Sequence, residues 1–224
     1  MNKYFLILGL LFFITPASAQ EQCACGTNKK LSELIDCKPI KLKNQAQLYW
    51  QFNCDSSWLT FKSKSGIKKI IYSMPIAIEH TGQLGYSFAT EYKQGFLIKN
   101  DVIAGCCAPP RFILFDKNTG DKLVDYGPLL FYSKDYQIPV VAYYRDDAII
   151  IRNVGTNKLN IVNLPKGLIP HSQKAGERPA PEYLFDTETA GKDLIITYRY
   201  LKPNPNESWQ KESVKIDLEK YREK

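Results

Sequence analysis

Phe112-Ile-Leu-Phe-Asp-Lys-Asn-Thr-Gly-Asp-Lys-Leu123 is the stretch on which the reading of this chain turns. Four residues that suit a pleated, half-buried surface are followed by Asp116, whose carboxylate can accept hydrogen bonds from the amides of a turn. Gly120 then supplies the left-handed backbone that a tight reversal needs, and Lys122 opens a second run. The stretch therefore reads as strand, turn, strand. Outward from it the pattern recurs. Trp58-Leu-Thr-Phe61 has glycine at +8 (Gly66) and lysine at +10 (Lys68), the same offsets as Gly120 and Lys122 from Phe112. A looser third copy starts at Ile149-Ile-Ile and places Asn157, the other residue that tolerates positive φ, at the glycine position. Residues 194–218 form a fourth hairpin with a proline-containing tip.

Between these copies, short runs rich in Ile, Val, Tyr, Phe and Trp alternate with Gly, Pro, Asn and Asp. They predict strands over 48–53, 57–63, 67–73, 84–92, 95–100, 111–116, 122–126, 139–144, 147–153, 158–164, 193–200 and 212–218. Beyond the first twenty residues no segment sustains a helical period over helix length. The fold class is all-β and antiparallel, in a small propeller-like or meander arrangement of four hairpins, with a sandwich or barrel as the alternative. The stretch from Phe112 to Leu123 resembles the outer hairpin of β-propeller blades of the quinoprotein-like kind. The uneven spacing of the four copies falls in the range of a propeller blade. The chain as a whole resembles small exported bacterial proteins. No quinone-binding residue can be carried over, so the resemblance implies architecture and no activity.

The N-terminus sets an address. Lys3, an apolar run from Tyr4 to Ile14, a Thr15-Pro16 break and Ala17-Ser18-Ala19 read as a secretory signal peptide cleaved after residue 19. The run is far short of the roughly 20 apolar residues of a membrane span. Gln20-Glu21-Gln22 precedes the first cysteine, which excludes lipidation. The mature chain is expected in the periplasm or outside the cell, with no transmembrane span. Losing Lys3 takes the net charge from +7 to +6, which favours an acidic or saccharide-bearing partner. The densest basic run, Lys62-x-Lys64 with Lys68-Lys69, straddles a predicted turn and reads as a solvated hairpin. Nucleic acid is not expected.

Cys23, Cys25, Cys37, Cys54, Cys106 and Cys107 all lie in the mature part. An even count in an exported chain reads as disulfides, and the six allow fifteen pairings. Adjacent Cys106 and Cys107 are expected to take different partners. Residues 20–46 form a cysteine-bearing segment with one short helical pattern at Leu31–Ile35, ahead of a single all-β domain over 47–224. A long proline-rich loop at 165–181, carrying His171 and Arg178, is the first place to look for binding.

Chemistry-bearing patterns are few. Gly85-Tyr-Ser87-Phe-Ala89 has the spacing of a nucleophile elbow, but a strand continues through it where the elbow needs a helix. The two histidines, His80 and His171, sit in no catalytic pattern. Asp116-x-Asn118-x-Gly120 lacks the glycine at position six and the glutamate at position twelve of a calcium loop. Cys23-x-Cys25 with Cys106-Cys107 could form a thiolate metal site, but oxidation competes. The carboxylate pairs Asp146-Asp147 and Asp186-x-Glu188 could serve a glycosidase. The former is expected to point to opposite faces of a strand, the latter to lie in a turn. Arg111, held behind Cys106-Cys107-Ala-Pro-Pro, is either a rigid anion clamp or an edge-strand arginine facing solvent. The expectation is a binding or interaction module without catalytic residues, cofactor or metal. An envelope hydrolase and a thiolate metal carrier are the alternatives.

Overall fold

The computed structural model describes residues 37–53, 56–75, 85–101, 109–165, 184–202 and 208–223. They form four antiparallel sheets that follow one another along the chain. Sheet A has the order β1 (Ile40–Lys41), β2 (Gln47–Phe52), β3 (Ser56–Lys62) and β4 (Lys68–Pro75). Sheet B contains β5 (Tyr86–Glu91), β6 (Gly95–Asn100), β7 (Arg111–Asp116) and β8 (Lys122–Pro128), again in sequence order. Sheet C is built likewise from β9 (Phe131–Tyr132), β10 (Val140–Arg145), β11 (Ala148–Asn153) and β12 (Leu159–Asn163). Sheet D holds β13 (Phe185–Ala190), β14 (Asp193–Lys202) and β15 (Ser208–Asp217). Each sheet is a meander, and none closes into a barrel.

Side-chain alternation decides how the sheets stack. Leu48, Leu59 and Phe61 of sheet A meet Phe96, Ile98, Ile113 and Phe115 of sheet B. The opposite side of those two B strands presents Leu97, Phe112 and Leu114 to Val141 and Tyr143 of sheet C. On the other side of sheet C, Ala142, Ile149 and Ile151 cover Leu194, Ile196 and Tyr198 of sheet D. The inner strands of sheets B and C are thus buried on both faces, which is why β7 and β10 read as unbroken apolar runs. Strand β14 has one covered face and alternates, with Leu194, Ile196 and Tyr198 buried and Arg199 exposed.

The four repeat copies fall on β3–β4, β7–β8, β11–β12 and β14–β15, the last two strands of each sheet. Gly66, Gly120 and Asn157 have φ of +92°, +71° and +59°. The second and third copies share one turn. Asp116 Oδ1 accepts from the amides of Asn118 at 2.7 Å and Thr119 at 2.8 Å, and the Thr119 hydroxyl accepts from the Asp121 amide. Asn153 Oδ1 likewise accepts from Thr156 N at 2.8 Å, and the Thr156 hydroxyl from Lys158 N. The Asp116 carboxylate is thus occupied by its own turn.

Asp146 and Asp147 do not start a strand. With φ of +51° and +58° they are the two-residue turn between β10 and β11, as expected where both central residues must take positive φ. Asp186 and Glu188 lie on strand β13, not in a turn, on one face; Asp186 pairs with Arg199 at 2.9 Å. Ser87 lies within β5. The signal-peptide residues, the Leu31–Ile35 pattern and the loop from 166 onward lie outside the described residues.

Candidate functional site

The turns 42–46, 92–94, 117–121, 133–139 and 154–158 converge at one end of the stack, together with the C-terminal residues 218–223. A buried ion pair ties three sheets together there. Lys117 Nζ donates to Glu91 Oε1 at 2.9 Å, to the Tyr92 carbonyl at 3.1 Å and to the Tyr136 hydroxyl at 3.2 Å. Both side chains are about nine-tenths buried, 7% and 10% exposed. The Lys43 amide of sheet A donates to both Glu91 oxygens, at 2.9 and 3.0 Å, and Lys43 Nζ stands 3.5 Å from the Tyr136 ring centre. Asn44 Nδ2 donates to the Lys117 carbonyl, and the Tyr92 hydroxyl to the Ser133 carbonyl at 3.1 Å. A charge this far from water is tolerable only when paired and hydrogen-bonded, so the cluster fixes the mutual placement of sheets A, B and C.

Beside it, the C-terminal chain is strapped onto sheet C. Leu218–Tyr221 form a short 3-10 helix whose N-cap, Asp217, accepts from the Glu219 amide. Arg222 clasps Glu219 through Nε at 2.6 Å and Nη2 at 2.8 Å, and donates from Nη1 to Gln137 Oε1 at 2.7 Å. That fork holds the Glu219 carboxyl below its ordinary value and raises the already high Arg222. The Glu223 amide donates to the Gln137 carbonyl at 2.8 Å, and Asn153 Nδ2 to the Tyr221 carbonyl at 3.0 Å.

Between this strap and the turns of sheets B and C lies a cleft of about 450 Å³. Its wall carries Lys93, Lys158, Lys220 and Arg222 against a single carboxylate, Glu223. Arg222 is consumed by Glu219, whereas no carboxylate among the described residues pairs with Lys93, Lys158 or Lys220. The cleft is therefore cationic. Gln94 adds a buried Oε1 with no hydrogen-bond partner, an acceptor that still needs a donor. Gly155 lets Glu223 and Gln94 approach its backbone: a Cβ there would stand 1.6 Å from Glu223 Oε1 and 2.8 Å from Gln94 Nε2. Such a cleft offers positive charge for an anion.

The residues singled out from sequence lie elsewhere. Arg111 begins β7, an interior strand of sheet B rather than an edge, at the opposite end from the turns. It is exposed and pairs with Asp125 at 3.1 Å. Burial pushes the Asp125 carboxyl up, but the Gly127 amide and Arg111 outweigh it and hold it below its usual value. His80, His171, Arg178, Cys23, Cys25, Cys54, Cys106 and Cys107 lie outside the described residues. Cys37 stands ahead of β1. The basic run at 62–69 flanks the β3–β4 turn, and Lys69 bonds Asp121, lowering that carboxyl.

The cleft lysines have no local sequence signal, being 62 or more residues apart along the chain. Only strand counting finds them. In a meander alternate turns share an end, which brings the turn after the 84–92 strand beside the turn before the 158–164 strand. Compared with protein-family models, curated proteins and solved structures, the chain matches none. Among the described residues no helix is long and apolar enough to cross a membrane.

Proposed function

We propose that the protein is an exported, non-catalytic binding module that recognises an acidic saccharide-bearing partner through the turn-end cleft. The observation that carries this reading is the trio of Lys93, Lys158 and Lys220 around one cleft, with no carboxylate partner among the described residues. Clustered cations in a partly walled site favour anionic ligands and raise their local concentration. Hydrolysis by paired carboxylates would need two acids about 5–9.5 Å apart on a common site. In the cleft Glu223 stands alone, while Asp146 and Asp147 form a turn and Asp186 is spent on Arg199.

The same reading takes the four stacked meanders as propeller-like blades, with the repeated hairpin as the outer pair of strands in each. It also takes the cysteines as a disulfide framework.

Affinity electrophoresis of the mature protein in gels containing acidic or neutral polysaccharide tests the function. Retardation by the acidic polymer alone is expected, and its loss in the triple variant Lys93→Ala/Lys158→Ala/Lys220→Ala. Equal retardation by both polymers, or an unaffected triple variant, would overturn the proposal.

A further inference from the structure

The basic run at 62–69 belongs to no part of the cleft. Lys62, Lys64, Lys68 and Lys69 fall within eight residues that hold no acid, and they flank the tip of the β3–β4 hairpin. The β7–β8 hairpin lies against that tip: Gly120 packs on the Phe61 ring, and Lys69 bonds Asp121. Three large aliphatic side chains stand out to solvent on these two hairpins. Ile67 is 65% exposed, Ile70 58% and Leu123 48%. Strand pairing asks for neither Ile67 nor Leu123. Ile67 precedes β4 and lies outside every strand. Leu123 is the extra residue where the β7–β8 register slips between Leu114 and Phe115, and a bulge of this kind re-aims the side chain it carries. Lys64 and Lys68 are exposed on either side of Ile67, and among the described residues no carboxylate pairs with them. Lys122, next to Leu123, is 56% exposed. Aliphatic and cationic side chains thus stand together on two adjoining hairpins.

We propose that these two hairpins dock on an anionic lipid bilayer, with Ile67, Ile70 and Leu123 entering the acyl boundary and Lys64, Lys68 and Lys122 meeting the headgroups. The combination of charge and apolar surface selects this partner. A free acidic polysaccharide would engage the lysines and leave the aliphatics in water. A second copy related by a two-fold axis would set the same lysines against themselves. A folded protein partner needs about 800 Å² of complementary surface on each side, far more than three side chains on hairpin tips supply. A bilayer uses both features, because apolar area buried at the headgroup boundary and lysines drawn to an anionic surface add together. The surface shares no residue with the cleft, so the inference goes beyond the proposed function and stands or falls apart from it.

Co-sedimentation of the mature protein with phosphatidylcholine vesicles, with and without phosphatidylglycerol, is the test. Binding is expected only where phosphatidylglycerol is present, and should weaken as salt rises. Lys64→Gln/Lys68→Gln should weaken it about 30-fold, at about fivefold for each lysine lost. Ile67→Ser/Ile70→Thr/Leu123→Ser should weaken it about tenfold or more. All five positions are exposed, so both variants should keep the wild-type urea midpoint. The cleft variant Lys93→Ala/Lys158→Ala/Lys220→Ala should bind vesicles more tightly than Lys64→Gln/Lys68→Gln, although it loses more charge. Equal binding to both vesicle types, or an aliphatic variant that binds like wild type, would overturn the inference. A cleft variant weakened as much as the lysine pair would overturn it too, since net charge alone would then account for binding. Absence of binding at low salt would do the same. Self-association without vesicles, lost in the aliphatic variant, would overturn it in favour of a second copy.

Discussion

Replacing Lys117 by methionine keeps the length and apolar stem of the side chain while removing its charge and three donors. Glu91 would then remain nine-tenths buried with only the Lys43 amide for company. Breaking a buried pair by removing one partner costs about 3–5 kcal/mol, because an uncompensated charge is left behind. For a chain of this size about 1 kcal/mol moves the melting temperature by roughly 2–4 °C, so Lys117→Met should lower it by roughly 6–20 °C. The double variant Lys117→Met/Glu91→Leu removes both charges together. It orphans chiefly the Lys43 amide, a cost of about 1–3 kcal/mol, and so should be more stable than Lys117→Met alone. Urea unfolding of wild type, both single variants and the double variant gives the coupling directly. If Lys117→Met lies within about 0.5 kcal/mol of wild type, the pair does not hold the three sheets as argued. Simple addition of the two single effects in the double variant would refute the reasoning equally.

Two further predictions concern the turns and the tyrosines. Gly120→Ala must place a Cβ 2.5 Å from Phe61 Cδ1 at φ +71°. It should cost ~1–2 kcal/mol for the left-handed backbone and ~1–3 kcal/mol for overpacking. Gly66→Ala, at φ +92° with open space around it, should cost only the first of these; equal losses in urea midpoint would contradict the packing argument. Burial, together with the Glu212 carboxylate that accepts from its hydroxyl, pushes Tyr198 up to about 12, and burial pushes Tyr126 up to about 12. Phenols raised in the folded state stabilise it fully below their unfolded value near 10, and the contribution is lost as pH climbs from there toward 12. Stability should therefore be insensitive to these two groups up to pH 10 and fall between pH 10 and 12, with phenolate absorbance following; a midpoint unchanged to pH 12 would contradict the assignment.

Most strands were legible because two-faced burial writes itself into the sequence. Phe112-Ile-Leu-Phe115 and Val140-Val-Ala-Tyr143 are apolar throughout because sheets press on both sides. The repeat at +8 was legible because a hairpin turn demands positive φ at one fixed position, and only Gly66, Gly120 and Asn157 supply it cheaply. What escaped were β1, β9 and β13, the first strands of sheets A, C and D. The first two have two residues each, too few to show an alternation. The third, Phe185-Asp-Thr-Glu-Thr-Ala190, is exposed from Asp186 onward and carries no apolar signal. Asp186 and Glu188 read as turn residues for that reason. The cationic cleft escaped for another: Lys93, Lys158 and Lys220 belong to three separate chain segments, and only the stacking of sheets B and C with the C-terminal strap brings them together. Lys117 has no distinguishing signal in the sequence, because its burial depends on Glu91 and Tyr136 arriving from elsewhere in the chain.

An acidic saccharide is proposed to bind at the turn end and not around Arg111 at the other. Amide chemical-shift mapping during titration with a hyaluronan hexasaccharide tests this directly. Perturbations are expected to concentrate at residues 93–95, 153–158 and 219–223 and to weaken as salt rises. Shifts centred on Arg111 and Asp125, or scattered evenly over the lysines of the surface, would contradict it.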